Sequence, residues 1–222
     1  MSAIGTSPSE IRTVKVWDPF VRVAHWVLAA VFLVAYAIED DILTLHVWFG
    51  YLAGAIVVAR LAWGLVGPRH ARFSDFICPP RIVFAYLADL LLFRARRYLG
   101  HSPAGGAMAI ALWLGVLATV GSGLAAYGAE GKGPLAGYFA AAGSSAAVAQ
   151  TWADDGDGGK KRKSLAAKFW EETHEILAGI SLSLVVVHVA GVAWASIAHR
   201  ENLTRAMWDG KKRPDGEEPN SV

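Results

Sequence analysis

The chain has 222 residues, 54% hydrophobic and 18% charged, with nine tryptophans and one cysteine; this excludes a sizeable water-soluble enzyme and reads as a one-domain integral membrane protein. The lone Cys78 excludes an internal disulfide, a Cys-x-x-Cys-His attachment and a thiolate cluster, so a prosthetic group must be held by other ligands, histidine first among them. A formal charge of +2, with no basic stripe interleaved with aromatics, gives no footprint for nucleic acid.

Residues 1–15 are expected to be loose: they are polar and lack the charged start and early apolar core of a cleavable signal peptide. Asp18 and Pro19 resemble an N-cap and first helical residue, and a first span is predicted from Pro19 to about Ile38, ending at Glu39, Asp40 and Asp41. It carries His25, with Arg22 three residues earlier on the same face, where an arginine either marks the interface or pairs with an anion. A second span follows from about Leu43 to about Val66. His46 heads it, and Gly50, Ala53 and Gly54 continue the same stripe, which suits either a flat ligand lying on the backbone or plain helix packing. Arg60 lies fourteen residues past His46, on the same inward face but roughly 21 Å deeper, and a propionate or a quinone oxygen would satisfy it.

From about Arg81 to Tyr98 the chain is amphipathic with arginines clustered at one end, predicting a helix along the membrane surface. His70 and His101 sit in loop-like contexts and read as interfacial, with His101 a further candidate for propionate or quinone contact. A third span from about Gly105 to about Tyr127 has no histidine and is expected to pack and seal. Residues 128–168 read as a solvated loop containing the run KKRK at Lys160 to Lys163. Its aspartates at Asp154, Asp155 and Asp157 lack the spacing and closing glutamate of a calcium loop. The last span lies within FWEETHEILAGISLSLVVVHVAGVAWASIAH, Phe169 to His199, uncharged from Ile176 to Ile197. His174 and His188 are fourteen residues apart, nearly four turns, so one face offers two imidazoles at two depths, with Ser181 midway on the stripe and Gly179 and Gly191 close by.

With four spans both termini share one side. That side carries 13 Lys and Arg against six on the other, so both termini are expected to be cytoplasmic, the KKRK run dissenting. Alternation then puts His25 with His188 at the cytoplasmic level and His46 with His174 at the outer level. Two histidines per level predict two haem b groups, each ligated by two histidines.

The segments VWDPFVRVAHW, LHVWFGYLAGAIVVARLAWGLVGPRHARFSDF, GHSPAG and VVVHVAGVAWASIAHRENLTRAMWDGKKR resemble the bacterial cytochrome b561 family, in particular the b-type cytochrome subunits of nickel-iron hydrogenases. The resemblance runs from Val16 to Arg213. It implies an all-α integral membrane protein, a bundle of four transmembrane helices with a cytoplasmic interfacial helix, forming one di-haem domain over residues 16–213 with loose ends at 1–15 and 214–222. Its ligands carry over onto His25, His46, His174 and His188. The expected function is electron transfer across the bacterial inner membrane between the quinone pool and a periplasmic redox protein, a hydrogenase or a c-type cytochrome, in either direction, with Arg60 and Arg22 as cofactor contacts. Two rivals are a stand-alone quinone oxidoreductase using a small diffusible redox substrate such as superoxide, and a haem-free proton or metal transporter. The latter would need polar residues between the histidine levels, where the spans offer chiefly Ala, Gly, Val and Leu.

Overall fold

The computed structural model describes residues 13–38, 42–143 and 164–213. Glu39 to Asp41, the KKRK run with the aspartates before it, and the chain ends at 1–12 and 214–222 lie outside these residues.

Among the described residues, four helices are long and apolar enough to cross a membrane: α1 (Pro19–Ala37), α2 (Leu43–Val66), α4 (Pro103–Ala129) and α6 (Leu165–Ala198). Between and after them come α3 (Pro80–Leu91), α5 (Ala136–Gly143), α7 (Leu203–Asp209), and the two short strands β1 (Val14–Lys15) and β2 (Lys211–Lys212). Their starts are written locally. Asp18 Oδ1 accepts from the Val21 amide with Pro19 in the first turn, Ser102 Oγ caps α4 through Gly105, Ser164 Oγ caps α6 through Ala167, and Asn202 caps α7 through Arg205. Each satisfies an amide that the helix leaves without an internal partner.

The chain falls into two compact units. One comprises 26–61 and 108–188. Here α1, α2 and α4 pack around Val31, Ala53, Val57 and Val116, with Leu28, Phe49, Trp113 and Val120 against them, and α6 is bonded to α4 through Ser181 and His174 at Thr119. The other comprises the residues up to His25, 62–107 and 189 onward. Its core is Val16, Trp17, Val21 and Ala71, packed by Trp63, Leu99 and Met207, and β1 pairs antiparallel with β2, Val14 opposite Lys212.

Three expectations are corrected. The interfacial helix ends at Leu91, not near Tyr98, because the chain closes it with a Schellman motif: Arg94 N–H donates to Asp89 O, Phe93 N–H donates to Leu90 O, and Phe93 takes the left-handed conformation, φ 55°. Glycine is the usual residue there, so a phenylalanine gives no stop signal. The third span runs from Pro103 to Ala129, longer at both ends, since Ser102 and Pro103 start it and Gly131, φ 78°, closes it with Lys132 N–H donating to Tyr127 O. The stretch 128–168 is not all loop. It holds α5 and the first turn of α6, with Gly128 lying where any Cβ would strike Leu135 and Phe139.

Candidate cofactor site between alpha2 and alpha6

The rings of His46 on α2 and His174 on α6 face each other, centroids 5.8 Å apart and planes at 87°. Two imidazoles flanking one metal at ordinary bond lengths have centroids about 6 Å apart. The rings therefore stand at the separation that a shared axial pair requires.

Backbone carbonyls decide which nitrogen each ring offers. His46 Nδ1 lies 2.9 Å from Ala35 O, and His174 Nδ1 lies 2.9 Å from Thr119 O. A carbonyl only accepts, so in both rings Nδ1 carries a proton, and Nε2 is the nitrogen left to bind a metal. Thr119 O also accepts from Ser122 Oγ at 2.9 Å, and Ser122 Oγ stands 3.3 Å from His174 Nδ1. One turn away Thr119 Oγ1 donates to Gly115 O, which leaves the Ser181 hydroxyl to donate to Thr119 Oγ1 at 3.0 Å. Ser181 is only 1% exposed. This chain of hydroxyls locks α6 to α4 beside the His174 ring, in apolar surroundings where an unmade hydrogen bond costs about 1–3 kcal/mol.

Both histidines line a cavity of about 320 Å³, within the roughly 300–1,000 Å³ of cofactor sites. Small residues supply its flat walls: Gly50 and Ala53 from α2, Gly123 from α4 and Ala178 from α6. A Cβ at Gly50 would meet nothing within 4 Å, so the missing side chain opens space there. At Gly123 a Cβ would stand 2.9 Å from His174 Cε1, so glycine alone admits the ring. The stripe below His46 is split in use. Gly50 and Ala53 line the cavity, whereas Gly54 packs against Val120, whose Cγ1 a Cβ would approach to 3.1 Å. The same cavity carries Tyr36, Tyr51, Tyr127 and three carboxylates, Glu130, Glu171 and Glu175; Glu130 is paired with Lys132 Nζ at 2.9 Å, and among the described residues neither lysine nor arginine lines the cavity.

The remaining expected site residues fall as follows. Arg60 is inward-facing as its spacing predicts, 5% exposed, with its guanidinium 4.9 Å over the Trp113 ring, a contact that offsets part of the cost of a buried cation. His188 is a partly buried residue of α6, and His25 a partly buried residue of α1. These two belong to different contact units. The Arg22 side chain donates to the Trp208 carbonyl, and Gly210 leaves the room it needs. His70 pairs with Asp75 at 2.9 Å, and His101 packs between the Trp17 and Phe76 rings. Sequence reasoning passed over Thr119, Ser122 and Gly123, having assigned α4 to packing alone. The signal available was the i, i+4, i+7, i+8 stripe Gly115, Thr119, Ser122, Gly123.

Four helices long and apolar enough to span a membrane, with two facing imidazoles over a cavity walled by small residues, are the frame of a membrane protein with a candidate cofactor site. The prokaryotic cytochrome b561 model matches residues 16–210, and the chain belongs to that family. It is accordingly a membrane b-type cytochrome, a haem b protein of electron transfer. No curated protein and no solved structure matches it.

Proposed function

We propose that the protein is a di-haem cytochrome b that carries electrons through the bacterial inner membrane between quinone and a periplasmic redox protein, with one di-haem domain over residues 16–213 and both termini cytoplasmic. The observation that carries this reading is the His46–His174 pair, 5.8 Å between ring centroids with each Nδ1–H given to a backbone carbonyl. Such a pair would fill both axial positions of one haem b, which then supplies outer-sphere electron transfer and offers no open position to oxygen. Ala35 and Thr119 would hold the rings through Nδ1–H and leave Nε2 to the haem. Gly50, Ala53 and Ala178 keep the backbone accessible to a porphyrin face, and the apolar helices exclude water.

His25 and His188 are assigned to the second haem on the sequence alone: the fourteen-residue spacing from His174 puts His188 four turns further along the same face. Arg60, and less directly Arg22 and His101, are the cations proposed to meet propionates or quinone. Glu171 and Glu175 at the cavity favour a donor or acceptor with a basic surface, such as a c-type cytochrome or a hydrogenase subunit, over an anion such as superoxide, Glu130 being paired with Lys132. Electrons can pass in either direction through this arrangement.

Redox titration of four single variants tests the reading. His46→Ala and His174→Ala should each remove the same one of two redox species, His25→Ala and His188→Ala the other, and combining both members of a pair should add little, because partners at one site are not additive. Loss of the same species in His25→Ala and His174→Ala would overturn the pairing.

A further inference from the structure

α3 buries one face and leaves another bare. Tyr86 and Leu90 are buried, and Trp194 Nε1 donates to Leu90 O at 3.3 Å, fixing the helix within its unit. Phe84, Leu87 and Leu91, at i, i+3 and i+7, form a separate stripe with Phe84 69% and Leu91 66% exposed. Asp89 is on the opposite flank, roughly 140–160° around the axis from the three. At the end of the stripe the left-handed turn at Phe93, packed on Trp194 at 5.2 Å, continues the apolar surface through exposed Leu92 and Phe93. Immediately beyond it come Arg94 and Arg96. Both are exposed, and neither guanidinium has a hydrogen bond or ion pair among the described residues. Their neighbour Arg97 differs, being held by Glu201 at 2.9 Å.

We infer that this edge is an anionic-phospholipid site: Phe84, Leu87, Leu91 and Leu92 enter the acyl region of the leaflet while Arg94 and Arg96 pair with headgroup phosphates. Charge complementarity selects the occupant. An apolar stripe alone would accept any lipid, but two unpaired guanidinium groups placed next to it at the headgroup level favour a net negative lipid, each by up to about fivefold. Arginine, with its fork of donors, suits a phosphate oxygen pair.

The test uses the full-length protein in phosphatidylcholine vesicles with trace spin-labelled phosphatidylglycerol or spin-labelled phosphatidylcholine, reading the motionally restricted fraction of each. Wild type should hold the phosphatidylglycerol label severalfold more strongly, and about 1 M salt, which shortens screening to roughly 3 Å, should abolish the preference. R94Q/R96Q should lose most of it while associating with phosphatidylcholine as before, its haem absorption unchanged. A preference intact in R94Q/R96Q overturns the proposal. Should that variant fail to assemble, wild type decides: equal association of the two labels, as a second copy or a partner subunit over the stripe would give, or a preference untouched by salt, also overturns it.

Discussion

The hydroxyl and imidazole cluster of 26–61 and 108–188 and the ionic cluster of the other unit spend their polar groups differently. Around His174, Thr119 O accepts the ring proton, and the uncharged hydroxyls of Ser122, Thr119 and Ser181 fix the helices that hold it. In the other unit Arg97 grips Glu201 through two nitrogens at 3.1 and 2.9 Å and also donates to Arg213 O. The Arg213 amide returns to Glu201, Lys212 Nζ donates to Tyr98 O, and Gly210 O accepts from Val16 and Trp17. Several contacts there do one job, tying the two ends of the chain together. A site with one geometry is fragile at each residue, whereas a clasp with many contacts is sensitive chiefly at its charged centre.

The largest effect expected within this contrast is at Gly123. Gly123→Val puts a branched side chain where even a Cβ would lie 2.9 Å from His174 Cε1, so the ring must leave its carbonyl. The haem content of purified protein should fall toward one per chain, counted by pyridine haemochrome, with the remaining species at its wild-type potential. Two species at full occupancy would show that the site tolerates a displaced ring.

Glu201→Gln comes next. Burial opposes ionisation of Glu201, yet the Arg97 hydrogen bonds and the Arg213 amide outweigh it and hold the carboxyl below its ordinary range. Losing charge-assisted bonds of this kind costs about 1.5–3 kcal/mol, seen as a lower thermal midpoint without loss of haem from the folded protein. The pH dependence has a defined sign. A carboxyl depressed in the folded state contributes stability that is present above its unfolded pKa of about 4.3 and lost as pH falls below it. His199, lowered by burial and by Arg97 and bonded through Nε2 to the Tyr86 hydroxyl at 3.2 Å, acts in the same direction. Unfolded it takes a proton below about 6.5, so stability should begin to fall there and fall again below about 4.3. Burial raises the Tyr86 phenol, which keeps it protonated as the donor in this bond. A His199→Gln variant should lose the first step and keep the second; an unchanged profile would remove His199 from the clasp.

Arg60→Leu should keep the bundle folded, since leucine suits the span, and shift one haem potential or slow quinone reduction, read by titration and by quinone reductase rate. If both match wild type, Arg60 serves only its packing against Trp113. The smallest effect belongs to Ser122→Ala. Thr119 O retains the His174 proton, so only the potential of the His46–His174 species should move, by less than about 60 mV, a tenfold change for one electron. A shift in the other species would mean that the two haems are assigned the wrong way round.

Much of this was legible in the chain. Apolar length placed the spans, because nothing else satisfies backbone groups in lipid, and the four histidines stood out because ionisable residues are expensive there. The inward aim of Arg60 followed from helical phase with His46. Residues whose importance lies in a neighbour on another helix were not legible. Ser122 and Gly123 look like ordinary small residues of a packing helix, and only the approach of α6 turns one into a hydrogen-bond partner and the other into a necessity. The end of α3 escaped for a related reason: a phenylalanine at a left-handed position is tolerated because Trp194, distant in sequence, packs on it. Sequence by itself determined how many times the chain can cross a membrane and which side chains can ligate, since both depend on hydropathy and side-chain chemistry along one helix. Which nitrogen each imidazole offers, and how closely two rings face, were decided only by tertiary structure, because the carbonyls of Ala35 and Thr119 and the absent side chain of Gly123 reach the histidines across helix interfaces.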